Sequence, residues 1–158
     1  MAQDDVVAAR AEVFGSVFVV AQHLTRRTDA ALEPLGLTTR QWLLLAVLTK
    51  AFPDRSPSLT EAAEQFGTTR QNVKQIALAL QSRGFLRLVS DPADRRATRL
   101  EVTERVAVFD ETAGRERSTA LLEAAFHGLS PDDTYLLRDL ARRWLAGLAA
   151  APDLPPTP

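Results

Sequence analysis

The stretch EAAEQFGTTRQNVKQIALALQSRG, residues 61–84, restricts the chain more than any other. Gly67 closes a short amphipathic run at the point where a helix ends on a residue of positive φ. Only Thr68 follows before Thr69, a hydroxyl residue able to cap the next helix, which Gly84 closes. Two helices joined through about three residues that include a glycine make a helix-turn-helix.

The second of these helices is divided by chemistry. Val73, Ile76, Ala77 and Leu80 form its inward stripe. Arg70, Gln71, Asn72, Lys74 and Gln75 crowd its first two turns, with no acid among them. Such side chains carry the donors and acceptors that read base edges, and they stand at the end of the helix that enters a major groove. The blander reading is the polar start of any bundle helix. The absence of acids favours the groove.

A hairpin is predicted next. Phe85–Val89 and Ala97–Thr103 have strand character, and Leu100 and Val102 alternate with Arg99 and Glu101. Thr98 shares the face of Leu100, so the apolar face fades toward the tip. Asp91 and Pro92 open that tip. Asp94 is expected to hold its shape by accepting from neighbouring amides or from an arginine. Arg95 and Arg96 then project as a wing toward an adjacent minor groove or its phosphates. Without the preceding helix, an ordinary solvated hairpin would be the better reading.

Charge supports the same region. The whole chain carries a formal net charge of -1. Between Thr68 and Leu100, seven cations (Arg70, Lys74, Arg83, Arg87, Arg95, Arg96, Arg99) face two anions (Asp91, Asp94), and 7 - 2 gives +5. A basic patch within an acidic scaffold is the footprint expected of nucleic-acid binding.

Helices are expected on both sides. Residues 4–33 form one long helix with Val6, Val13, Val17, Val20 and Leu24 on a stripe that Phe14, Phe18 and Ala21 widen. Around Phe14–Ala21 it is apolar on nearly every side and needs cover from its own domain or another chain. Pro34 and Gly36 break it, and Thr38 or Thr39 caps a second helix containing Trp42. Leu59 is expected in a minimal strand, with Thr60 capping EAAEQF. Residues 104 to about 127 are expected as one helix weakened by Gly114. Ser130, Pro131 and Asp133 start the last, with Leu136, Leu140, Trp144 and Leu148 on its stripe. The proline-rich tail, 151–158, is expected to be disordered.

Other functions are disfavoured. With no cysteine, thiol chemistry and cysteine-ligated zinc are excluded, and two histidines are too few for a histidine-rich metal site. Neither has an evident catalytic partner, so no enzyme, metal or cofactor is expected. The acidic start lacks a signal peptide's basic region, and the apolar run Val17–Ala21 is short for a bilayer, so a cytoplasmic location without membrane is expected.

From about Leu35 to Glu104 the chain resembles the MarR family of bacterial transcriptional regulators. The resemblance rests on LGLTTRQWLLLAVL, LTEAAEQFGTTRQNVKQIALALQSRGFLRL and above all DPADRRATRLEVTE. Asp91, Asp94 and Arg96 fit the family's wing. Ala93 stands where many relatives carry arginine, and Val106 replaces a common glycine. The fold class expected is mostly α with a small β-hairpin wing: a winged helix-turn-helix domain at 35–104, an N-terminal dimerisation helix at 1–34 and C-terminal dimerisation helices at 105–150. The resemblance implies a homodimer on a pseudo-palindromic double-stranded DNA operator, acting as a repressor. Thr69, Arg70, Gln71, Asn72, Lys74, Gln75, Asp94, Arg95 and Arg96 are the candidate DNA contacts. It also implies a small aromatic or phenolic effector that lowers DNA affinity, with His23, Arg27 and Trp42 as candidate ligand residues. The alternative is a winged-helix module for protein–protein assembly, which predicts a neutral or apolar recognition helix and a short wing.

Overall fold

The computed structural model describes residues 2–94 and 97–152, and is mostly helical with one antiparallel hairpin. Helix α1, Ala2–Leu32, stops at a 3-10 turn, Glu33–Leu35, that carries Pro34 at its start and Gly36, in the left-handed region, at its end. Helix α2, Thr39–Ala51, begins with a capping box. The Thr38 hydroxyl accepts from the Gln41 amide, and the Gln41 side chain accepts from the Thr38 amide at 3.0 Å. Thr38 is therefore the cap. Thr39 ties α2 to α1, its amide donating to Asp29 at 2.6 Å and its hydroxyl donating to Asp29 and the Thr25 carbonyl at 2.8 and 3.1 Å.

Helix α3, Leu59–Phe66, starts two residues earlier than Thr60 as cap would allow, and Leu59 is helical rather than a strand. Ser58 caps it because Glu61, three residues on, completes the reciprocal box; Thr60 would need its acid at Ala63. The bridge expected at Leu59 lies instead at Ser58, paired with Arg99. Gly67, at φ 68°, ends α3, and Thr69 caps α4, Arg70–Ser82. Strands β1, Leu86–Ser90, and β2, Thr98–Val102, pair with Leu88 opposite Leu100. Leu44, Leu48, Val73, Leu80, Phe85, Leu86 and Leu100 form the fully buried centre of the core under this hairpin and the helix-turn-helix.

After β2 the expected single helix divides. A 3-10 stretch, Glu104–Phe109, capped by Thr103, precedes α5, Thr112–Ala125. Gly114 causes no weakness in mid-helix. It lies buried in the first turn of α5, where a Cβ would stand 2.3 Å from the Val108 carbonyl oxygen and 2.8 Å from that of Phe109. Helix α6, Pro131–Ala150, opens with Ser130 as cap, Pro131 in the first turn and Asp133 completing the box, as expected. The chain divides into two compact units, Met1–Leu121 and Leu122–Pro158. Most of the proline-rich tail, residues 153–158, lies outside the described residues.

Helix α1 makes up most of a span, Gln3–Leu35, that is long and apolar enough to cross a membrane by length and composition only. Val6, Val13, Phe14, Val17, Phe18 and Val20 are all exposed, with Phe14 and Phe18 stacked edge to face at 5.0 Å. In α6, Leu136, Leu140, Trp144 and Leu148 are likewise exposed.

Gly114→Ala should lower the thermal midpoint, since a methyl inside carbonyl contact distance typically costs about 1–3 kcal/mol. Calorimetric melting checks this, and an unchanged midpoint would contradict the close crossing.

Candidate nucleic-acid interface

Helix α4 presents a chemically distinct end. Arg70, Gln71, Lys74 and Gln75 are exposed on one face at i, i+1, i+4 and i+5 spacing, with Thr69 exposed at the cap. Val73, Ile76, Ala77 and Leu80 hold the opposite face in the core. Asn72 differs from its neighbours. It is half-buried, and its side-chain amide donates to the Thr68 hydroxyl at 2.8 Å, which shapes the turn between α3 and α4.

Four helices open with a side-chain cap, α2, α3, α4 and α6, and α2 completes its box with the neutral Gln41. Helices α3 and α6 complete their boxes with acids, Glu61 and Asp133. Helix α4 has Asn72 at the equivalent position and no acid in its first turn. Its partial positive end is therefore not neutralised from within, and Arg70 and Lys74 add to it. Such an end attracts phosphate.

The basic patch is smaller than the count from sequence. Arg83 donates to the Gly36 and Ala79 carbonyls, and Arg87 pairs with Glu101 across the hairpin. Arg99 is not an outward-facing strand residue. Its Nε and Nη2 each reach Asp91 at 2.6 Å, Nη1 donates to the Ser56 carbonyl at 3.2 Å, and Nη1 lies 3.5 Å from Glu61. Arg70 and Lys74 remain exposed and make no ion pair among the described residues. Arg95 and Arg96 lie outside the described residues.

The shape of the wing base comes from Asp91. Its carboxylate accepts from the Ala93 amide at 2.8 Å and from Arg99, and it is 7% exposed. The Ala93 amide, and after it Arg99, hold its pKa below the usual carboxylate value. Asp94 contributes its carbonyl, which accepts from the Ala97 amide at 2.8 Å. Glu61 links this base to α3. Its carboxylate accepts from the Ser58 amide at 2.8 Å and meets Arg55 at 2.7 Å, besides Arg99. The Ser58 amide and hydroxyl, then Arg55, lower its pKa from 4.5 to about 2. This linkage was not anticipated from sequence. The signal lay in Ser58 and Glu61 at capping-box spacing, just after Arg55.

The candidate ligand residues do not converge. Trp42 is half-buried and lines a cavity of about 210 Å³ with Leu45, Val106 and Phe109. His23 and Arg27 are exposed on α1 and do not line it.

Comparison with known proteins agrees with this geometry. Residues 35–97 match the MarR family. The chain is 29% identical over 140 residues to an uncharacterized protein of Mycobacterium tuberculosis, covering 89% of this chain and 94% of that one. It is 27% identical over 108 residues to the transcriptional activatory protein BadR of Rhodopseudomonas palustris, covering 66% of this chain and 62% of BadR. It superposes with a TM-score of 0.75 and 26% identity on Sco3205, a MarR family transcriptional regulator from Streptomyces coelicolor solved in complex with DNA, covering 94% and 96% of the two chains.

Because the Glu61 pKa is depressed on folding, its stabilising effect is complete above about pH 4.5 and disappears as pH falls through about 2. Glu61→Gln should flatten the acid limb of the stability curve across that window; an unchanged limb would count against the linkage. Arg99→Met should speed hydrogen exchange at the Ala93 and Leu100 amides by roughly ten-fold, about the value of one hydrogen bond.

Proposed function

Since the chain belongs to the MarR family through its winged helix-turn-helix domain, we propose that it is a sequence-specific DNA-binding transcriptional regulator acting as a homodimeric repressor. The observation that carries this is the acid-free N-terminus of α4 with Arg70, Gln71, Lys74 and Gln75 exposed on one face. Gln71 and Gln75 supply paired donors and acceptors for base edges, while Arg70 and Lys74 supply phosphate or guanine contacts. Asn72 shapes the turn and Thr69 caps the helix. Arg95 and Arg96 are the proposed wing contacts, next to a hairpin base held by Asp91 and the Asp94 carbonyl. That Sco3205, which has the same fold, was solved in complex with DNA supports a DNA-binding role.

The exposed apolar faces support the dimer. A second copy covering α1 removes Phe14, Phe18 and their valine neighbours from water, and the face of α6 needs cover in the same way. Half-sites then lie about one helical turn of DNA apart, roughly 34–36 Å. Trp42 and its small cavity are the proposed contact for an aromatic or phenolic effector, which needs only to bind the DNA-free state more tightly to weaken repression. The assembly-module alternative predicts an apolar or neutral recognition helix, and α4 is neither.

Four outcomes test the reading. On DNA from upstream of its own gene, Gln75→Ala should weaken binding by about 1–3 kcal/mol while leaving a scrambled duplex unaffected. Arg96→Ala should reduce the slope of log affinity against log salt by about 1 on both duplexes. Equal, weak binding of every protein to both duplexes overturns this target, and a genome-wide selection then separates another operator from an assembly role. Phe18→Asp should convert the dimer to monomer in light scattering; sedimentation of wild type with phospholipid vesicles would instead assign α1 to a membrane. Deletion of the gene should raise transcription from the bound promoter. A fall would mean activation, the role named for BadR.

A further inference from the structure

A second groove, of about 510 Å³, lies between the end of α2, the loop before α3 and the end of β2. Leu48, Phe52 and Leu100 are buried core residues that form its floor, and half-buried Val102 and Val106 extend it. It shares only Thr49 and Val106 with the Trp42 cavity. Its volume is within the range of small-molecule sites, roughly 300–1,000 Å³.

The rim is acidic. Asp54, Glu101 and Glu104 line the groove with a single cation, Arg55. Two of these four are already engaged, Arg55 with Glu61 and the ring of Phe52, and Glu101 with Arg87. Asp54 and Glu104 are exposed and make no ion pair among the described residues. An apolar floor beside unneutralised carboxylates repels aromatic anions and favours the opposite charge. A bare metal ion fits poorly. Among the described residues no three histidine, aspartate or glutamate side chains converge as ligands.

We propose that this groove binds a small organic cation, a protonated amine on an aromatic or aliphatic body. The body lies on Phe52, Val102 and Val106, and the ammonium meets Asp54 and Glu104. The occupant also covers a structural joint, since the Leu100 amide donates to the Pro57 carbonyl at 2.8 Å and both residues line the groove. That bond fastens β2 to the loop before α3, so a bound cation stabilises the wing base. The inference stands on this groove and does not depend on the DNA-binding reading.

Three isosteric probes test it on the full chain by amide chemical shifts: 2-naphthylmethylammonium, 2-naphthoate and 2-naphthylmethanol. The cation should give saturable shifts at Phe52, Leu100 and Val102, bind more tightly than the alcohol, and slow exchange of the Leu100 amide. The naphthoate should leave these residues unmoved. The double variant Asp54→Asn/Glu104→Gln changes only exposed side chains and should weaken the cation roughly five-fold, as removal of two exposed charge contacts predicts. The proposal fails if the naphthoate binds the groove as tightly as the cation. It also fails if the double variant keeps wild-type affinity, or if none of the probes moves these amides.

Discussion

The Arg99 guanidinium is the point on which the wing depends. It joins Asp91 at the base of the hairpin tip to Ser56 and Glu61 at the start of α3. Beside it, Ser58 bridges Arg99 and the Leu100 amide reaches Pro57, so β2 has a short partner on its second edge. A two-stranded hairpin alone is marginal in water. Here it becomes part of the helix-turn-helix, because the residues that fasten β2 are the residues that cap α3. Glu61 serves both ends, accepting from the Ser58 amide within the cap and meeting Arg99 from the wing. Loss of Arg99 leaves the Asp91 carboxylate without its compensating charge and removes the link to Glu61, so the two elements are coupled in stability as well as in position.

That coupling explains how a chain of net charge -1 still offers a basic surface. Arginines placed near the wing have different roles, and most of those described are already engaged: Arg83 with carbonyls, Arg87 with Glu101, Arg99 with Asp91. What remains positive at α4 comes from Arg70, Lys74 and a helix end without a capping acid. Placing Asn72 where α3 has Glu61 and α6 has Asp133 sacrifices a second cap bond. In exchange it keeps a carboxylate away from the place where phosphate would approach. Asn72 then bonds Thr68, so the substitution also helps hold the turn.

Local devices were legible in the sequence where one residue type has one physical use. Gly67 before Thr69 marked the turn, and Ser130, Pro131 and Asp133 marked the start of α6. Devices with two readings were misread. Thr60 and Ser58 are both capping residues, and only the position of Glu61 decides between them. Strand alternation put Arg99 on the solvent side with Glu101, because period-2 patterning cannot reveal that another loop lies against that side. Gly114 looked like a weak point in a helix, whereas its missing side chain admits the Val108 and Phe109 carbonyls. Asp91 and Asp94 are chemically identical in the sequence. Only the fold distinguishes the carboxylate that turns inward to Arg99. Of these, the Arg99 error alone involved residues distant in the chain, Ser56 and Glu61; the others turned on neighbours within a few residues.

The N-terminal helix shows how such long-range contacts bear on the proposed dimer. Its exposed face cannot be a neutral feature, since several phenylalanine and valine side chains in water cost about 1.5 kcal/mol or more apiece relative to burial. Whatever covers that face also acts on the helix-turn-helix, because α1 is not loosely appended. Asp29 and the Thr25 carbonyl grip Thr39 at the first residue of α2, and Leu32 is buried in the core. Helix α2 packs in turn on α3 and α4, and Arg99 fastens the wing to α3. The path from α1 to the wing thus runs through buried or hydrogen-bonded joints without a flexible link. A protein built this way moves α4 and the wing base as one body when α1 shifts. On the proposed dimer, a shift of α1 would therefore change the spacing and tilt of the two helix-turn-helix units more than it would deform either one.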